Sequence, residues 1–264
     1  MILLKKDNEI KVLREGGKKL ASVLKQVADL VKPGITTADL EELACRLIEE
    51  AGGRPAFKGY RTSLDETAFP TALCTSINQE IVHGPALPAR ILKEGDIIGI
   101  DVGMEYPIKK GERGLYTDMA VTVAVGEVGA SVQKLMTVTK KCLELAIEQA
   151  QPGNSLNDIG RAVQQHAEAN GYSVVRDLVG HGVGYEVHED PQVPNYEIRD
   201  NSLENFELKP GMVIAIEPMV NMGKPRIRMT RKSWAITTAD NSLSAHFEHT
   251  IAITKTGNEV LTRD

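Results

Sequence analysis

A chain of 264 residues, 42% hydrophobic and 25% charged, can bury a substantial core as one large domain or two small ones, and this composition excludes a disordered or fibrous chain. A formal charge of -5 argues against nucleic acid as the main partner. Cys45, Cys74 and Cys142 lie far apart without a Cys-x-x-Cys pair, which suggests neither a disulfide framework nor a zinc knuckle.

Lys5, Lys6 and Asp7 interrupt the start too early for a signal-peptide core, and no later apolar run could span a bilayer. The expected location is the cytoplasm, with no membrane partner. A helix is predicted from Asp7 as its cap, with Ile10, Val12, Leu13 and Leu20 towards one side and Pro33-Gly34 as its stop. Gly16-Gly17 inside it weakens its continuity. Thr36 and Asp39 have the spacing of a capping box and open a second helix that Gly52-Gly53 closes. Strands are predicted over 73–77, 96–103 and 115–125.

The same signature returns 119 positions later as Pro152-Gly153-Asn154-Ser155-Leu156-Asn157-Asp158-Ile159, after a helical run from Ser131 and before a closing Asn170-Gly171. This is an internal repeat. Further strands are predicted over 173–179, 212–219 and 245–254, and a long surface loop over 190–210. The expected architecture is a duplicated α+β unit forming one catalytic domain over 1–264, with halves of roughly 1–125 and 126–264 and a site between them.

Strand alternation puts Asp101 on one face with Ile97, Gly99 and Gly103, opposite Ile98, Ile100 and Val102. Glu217 likewise shares a face with Val213 and Ala215, and Asp118 with Ala120. A single acid on a strand is often solvent-facing. Several acids beside small residues on apolar strands imply a cavity, where buried carboxylates must protonate or find cations. Four carboxylates would balance two divalent ions, which motivates a two-metal site.

Four of the six histidines fall in two short motifs: Gly180-His181-Gly182-Val183-Gly184 with His188 beyond it, and His246 and His249 around Glu248. His181 and His188 are seven apart, so a loop or bulge must bring them together if both serve one site. A structural role is expected for His166, and His246 stands open between structural and functional roles.

These residues carry a resemblance. The stretches Asn78-Gln79-Glu80-Ile81-Val82-His83-Gly84, Ile100-Asp101-Val102, Thr117-Asp118, Gly180 to Gly184, Ile216-Glu217-Pro218-Met219 and Ser242 to Thr250 together resemble the type I methionine aminopeptidases, over essentially all of the chain. The resemblance implies a pita-bread fold, in which an antiparallel sheet and helices form two pseudo-symmetric halves around a central dinuclear metal site. It implies five metal ligands: Asp101, Asp118, His181, Glu217 and Glu248. Asp118 and Glu248 would bridge the ions, Asp101 would chelate one, and His181 with Glu217 would bind the other. The ions could be Mn, Fe, Co or Zn.

It further implies that Glu217 shuttles a proton, that His83 contacts the scissile amide and that His188 stabilises the oxyanion. Tyr60, Phe69, Cys74 and Trp234 would form the methionine pocket, with ordinary core packing as the alternative. The expected activity is removal of the initiator methionine from nascent polypeptides when the second residue is small, by a monomer that contacts the ribosome, if at all, through its catalytic domain. Two departures stand out: longer stretches at 61–68 and 105–115, the latter a basic hairpin tip, and Val187 where many relatives carry an aromatic, which would open the pocket. The competing readings are an X-Pro aminopeptidase or prolidase, and a binding protein that kept the fold without catalysis.

Overall fold

The computed structural model describes residues 2–61, 67–198, 202, 205–230 and 233–263. Four helices occur there: α1 (Asp7–Asp29), α2 (Thr37–Glu50), α3 (Ala130–Gln149) and α4 (Leu156–Ala169). The strands of the first half are β1 (Arg54–Pro55), β2 (Leu73–Ile77), β3 (Glu80–Val82), β4 (Ile97–Tyr106) and β5 (Leu115–Ala124). Those of the second half are β6 (Ser173–Val174), β7 (Gly180–Gly182), β8 (Glu189–Val193), β9 (Val213–Ile216), β10 (Met219–Asn221), β11 (Ile227–Thr230), β12 (Ser233–Thr238), β13 (Ser244–His246), β14 (Glu248–Ile253) and β15 (Asn258–Val260).

The main antiparallel sheet runs β1-β4-β5-β14-β9-β7-β8, with β2 also on β4 and β15 on β14. Two small sheets, β13-β10-β6 and β11-β12-β3, complete the fold. The helices cover one side of the main sheet. Leu20, Leu24 and Leu40 of α1 and α2 pack on Ile98, Ile100 and Val102, and Leu135, Ile159 and Val163 of α3 and α4 pack on Ile214, Ile216 and Ile251. The apolar layer expected opposite Asp101 is therefore present.

The repeat is visible in local chemistry. The Thr36 and Ser155 N–H groups donate to the carboxylates of Asp39 and Asp158, each at 2.8 Å. Gly34 and Gly153 take φ of +91° and +90°, and Gly52 and Gly171 take +82° and +84°. Gly34 N–H donates to Leu92 O as Gly153 N–H donates to Leu208 O. Left-handed turns of this kind favour glycine, so these residues punctuate both halves alike.

Several boundaries differ from expectation. Asp7 is the first helical residue of α1 rather than its cap; Lys6 holds the cap position, its N–H donating to Glu9 at 2.7 Å. Gly16-Gly17 does not interrupt α1. A Cβ on Gly17 would lie 2.4 Å from Leu261 O, so glycine there permits a close backbone approach. The strand expected over 173–179 is only Ser173–Val174. The loop expected over 190–210 begins as β8, whose Pro191 is tolerated because β8 is the sheet's edge. Residues 199–201, 203 and 204, within that loop, and 62–66, within the long 61–68 stretch, lie outside the described residues.

The strands expected over 212–219 and 245–254 are each split, at Glu217-Pro218 and at Phe247. Pro218 has no N–H to give a ladder. The register nevertheless continues through the break, since Ile216 pairs with His249 and Met219 with His246. One antiparallel pair thus bends out of the main sheet into a small one, with Glu217 opposite Glu248 at the bend.

Gly17→Ala should destabilise the protein by about 1–3 kcal/mol, the usual range for forcing extra volume into a packed site. Lys18→Ala, on the exposed side of α1, should stay within about 0.5 kcal/mol of the parent. Urea unfolding of both would check this, and equal stabilities would refute the tight contact.

Candidate metal centre

The main sheet places the acids on two neighbouring rungs of one face. On the first, Cys74 pairs with Asp101, Asp101 with Ala120, and Ala120 with Glu248, across β2, β4, β5 and β14. Two residues along, Gly103 pairs with Asp118, Thr250 with Ala215, and Ala215 with His181. The Asp118 N–H donates to Thr250 Oγ1 at 2.9 Å, and the Thr250 hydroxyl donates to Asp118 O at 2.8 Å, which joins β5 to β14 there. Gly103, Ala120 and Ala215 are the small residues between the ligand candidates. A Cβ on Gly103 would meet Phe57 Cε1 at 2.8 Å.

All five candidate ligands meet in a cleft of about 1300 Å³. Oxygens of Asp118 and Glu248 and a nitrogen of His181 lie within 4.8 Å of one another. His181 Nε2 is 3.6 Å from Glu217 Oε1 and 4.0 Å from Asp118 Oδ2. Asp101, Asp118 and Glu248 are buried. Asp101 Oδ1, Asp118 Oδ1 and Glu248 Oε1 have no hydrogen-bond partner among the described residues. Buried carboxylate oxygens are rarely left in that condition.

Electrostatics points the same way. Burial pushes the carboxyls of Asp118 and Glu217 up to about 7. Asp101 and Glu248 are held well above the ordinary carboxylate range by burial first and by their acidic neighbours second. The imidazole of His181 is driven down to about 4, chiefly by burial. It is therefore neutral, and its Nδ1 is 2.9 Å from Gly182 O. With Nδ1–H donating to that carbonyl, Nε2 faces the acids as a lone pair, the state a metal ligand needs. A neutral imidazole among carboxylates with unsatisfied oxygens fits divalent cations of the first transition row.

The other site candidates also gather here. His83, at φ +60°, and His188 both line the cleft. A register shift between His181 and Gly182 in the β7–β8 pairing supplies the bulge that seven-residue spacing required, and the His181 and His188 rings stand 4.4 Å apart, edge to face. His188 Nδ1 lies 2.8 Å from the Tyr60 hydroxyl. Phe69 and Cys74 belong to one buried apolar cluster, with Tyr60 and Trp234 against it; Phe69 and Trp234 pack edge to face at 5.5 Å.

Sequence reasoning missed Phe57, a member of this cluster whose ring packs at Gly103; no motif marked it. Val187 is 6% exposed and belongs to the same cluster. His246, left open above, is buried with Nε2 3.5 Å from Glu217 Oε2, without a hydrogen bond. His166 lies in the last turn of α4.

The description of metallopeptidase family M24 matches residues 11–255. The chain belongs to metallopeptidase family M24. It is therefore a metal-dependent hydrolase. A methionine aminopeptidase of Clostridium acetobutylicum is 44% identical over 262 residues, 99% of each chain. The crystal structure of a methionine aminopeptidase from Thermotoga maritima superposes with a TM-score of 0.91 at 41% identity, covering 100% of both chains. A prolidase from Pyrococcus horikoshii has a TM-score of 0.75 at 22% identity and covers 100% of this chain but 64% of its own, a likeness of fold alone. The expected pita-bread architecture is thus the observed one.

Carboxyls held this far above the ordinary carboxylate range, Asp118 and Glu217 at about 7, must lose protons before they can bind cations. Titrating a divalent ion into metal-free protein at pH 7 should therefore release protons, and affinity should rise between pH 6 and 8. Calorimetry in buffers of different ionisation enthalpy would reveal the release. A binding enthalpy independent of buffer would contradict the proposed protonation state.

Proposed function

We propose that this M24 hydrolase removes the N-terminal methionine of polypeptides whose second residue is small, using two divalent ions held by Asp101, Asp118, His181, Glu217 and Glu248. The observation that carries this reading is the contact between two kinds of surface: buried carboxylates with unsatisfied oxygens and a neutral His181 on one side, and an apolar cluster of Phe57, Phe69 and Cys74 on the other. The high identity to methionine aminopeptidases over nearly full length supports it.

Asp101, Asp118, Glu217 and Glu248 would hold the ions through their carboxylates, with His181 adding Nε2. Bound ions of this kind would supply an acidified water and polarise a carbonyl oxygen. Glu217 would accept the proton of the attacking water and pass it to the leaving amine. Burial drives His188 down to about 4, so its ring is neutral near pH 7. With the Tyr60 hydroxyl donating to Nδ1, the ring proton sits on Nε2, which can donate to the oxyanion. His83 would bind the scissile amide.

The methionine side chain would occupy the pocket of Tyr60, Phe69, Cys74 and Trp234, with Phe57 and Val187 as further walls. The free amine and first carbonyl must reach the acids together, which leaves little room for a second side chain. Nascent polypeptides are the natural bearers of such an N-terminus, so the protein would act in the cytoplasm as they emerge.

Asp118→Asn and Glu248→Gln should each lower kcat/KM by more than about 100-fold, beyond what loss of an outer-sphere partner costs, and should weaken metal binding measured by calorimetry. Near-normal turnover in either would sink the two-ion arrangement. Glu217→Gln, compared with the parent after metal loading, should lower kcat by about 100-fold or more, with a smaller change in KM, because proton transfer is lost. Full recovery with excess metal would make Glu217 a ligand only.

A peptide panel tests the substrate. Met-Ala-x should exceed Met-Leu-x and Leu-Ala-x in kcat/KM, and N-acetylated peptides should resist cleavage. Preference for Ala-Pro-x would replace this reading with a prolidase-like one.

A further inference from the structure

Lys5 lies outside the cleft, yet its side chain is 1% exposed and its ammonium stands 2.5 Å from Glu189 Oε2, itself on a side chain 5% exposed. Nζ also donates to Leu3 O at 3.3 Å and lies 5.0 Å from the centre of the Tyr185 ring. The Lys5 N–H donates to Gly211 O at 2.7 Å. Gly184, at φ +142°, gives the lysine stem its passage, since a Cβ there would lie 2.4 Å from Lys5 Cε.

The carboxylate that Lys5 holds has a second task. Glu189 Oε1 accepts the N–H of Glu186 at 2.9 Å and the N–H of Tyr185. One side chain therefore ties off the turn from Tyr185 to Glu189, and His188 lies inside that turn. The Tyr185 hydroxyl donates to Glu9 at 2.8 Å, a second tether from the start of α1. The His188 ring bonds the Tyr60 hydroxyl through Nδ1 at 2.8 Å and stands edge to face with Tyr60 and His181, contacts that it can keep only where the backbone carrying it places the ring.

A buried ion pair adds little net stability over a well-packed apolar pair. What the apolar pair could not do is present a fixed acceptor to two backbone N–H groups beside a reacting histidine. We propose that Lys5 is a positioning residue: through Glu189 it fixes the 185–189 turn and so aims His188 at the substrate carbonyl. This rests on the role assigned to His188 above. The segment just before α1, remote in sequence from every ligand candidate, is on this view part of the catalytic apparatus.

The test is a set of kinetic cycles on Met-Ala-x peptides with metal-loaded enzyme. Lys5→Met should lower kcat by about 10- to 100-fold with little change in KM, the scale expected for displacing a catalytic group by about 1 Å. Metal affinity by calorimetry should be unchanged. In a His188→Ala background the same substitution should change kcat by less than about twofold, because the two residues act as one unit. Independent, multiplying losses would overturn the proposal.

Lys5→Met leaves Glu189 buried without its cation and could fail to fold, so Lys5→Met/Glu189→Gln provides an uncharged pair. It should show the same loss of kcat and a shifted ring ¹⁵N signal for His188. Full kcat in that pair would overturn the proposal and leave Lys5 a structural residue. Full kcat in His188→Ala alone would instead refute the role of His188, and this inference with it.

Discussion

Everything at the centre of this fold follows from placing four carboxylates on one face of a sheet whose other face is sealed by helices. Asp118 and Glu248 have oxygens within 4.8 Å, and at an effective dielectric near 20 two unit charges at that distance repel by about 3.5 kcal/mol. A few such pairs would consume the roughly 5–15 kcal/mol by which a typical domain is stable. Without cations the acids respond by holding their protons, which is why burial raises all four. The same burial lowers His181 and keeps its lone pair available. One physical condition thus makes the acids wait for a cation and the imidazole ready for it.

The site also draws on both halves of the chain. Asp101 and Asp118 come from the first half; His181, Glu217 and Glu248 come from the second. In the sheet, β14 lies between β5 and β9, so a strand from the second half is the seam along which the two sets meet. The Thr250 and Asp118 hydrogen bonds lie on that seam. Neither half alone carries all the candidate ligands, whereas the joined sheet brings them to adjacent rungs.

Sequence made the repeat, the capped helices and the central strands legible because each depends on near neighbours: a capping carboxylate three residues on, a glycine at a left-handed turn, alternation along a strand. The face carrying Asp101 and Gly103 was readable for that reason. The ends of β9 and β13 were not, because a break at Pro218 changes the sheet a strand belongs to without changing its register, and periodicity cannot see this. β8 was hidden by Pro191, which its edge position makes acceptable. Phe57 and the Lys5 contact escaped for another reason: their partners lie far along the chain, and nothing local to Phe57 or Lys5 distinguishes them from ordinary core and surface residues.

The bend at Glu217 explains why one short segment can serve both chemistry and packing. Up to Ile216 the chain is bound into the main sheet, and from Met219 it is bound into the small one. Between them Pro218 donates nothing, and the Glu217 carbonyl accepts from the Asn195 amide at 3.0 Å instead of from a neighbouring strand. Asn195 is fully buried, so it fixes the backbone at the point where ladder bonds cease. Across the bend, Phe247 is likewise outside both ladders, while the Thr122 hydroxyl donates to His246 O at 2.8 Å and accepts from the His246 N–H at 2.9 Å. Ladders hold both strands on either side of the kink, and at the kink itself side chains add to the single backbone bond from the Phe247 N–H to Pro218 O. A regular sheet would point Glu217 and Glu248 along parallel normals. The kink breaks that regularity, and both opposed carboxylates line the one cleft.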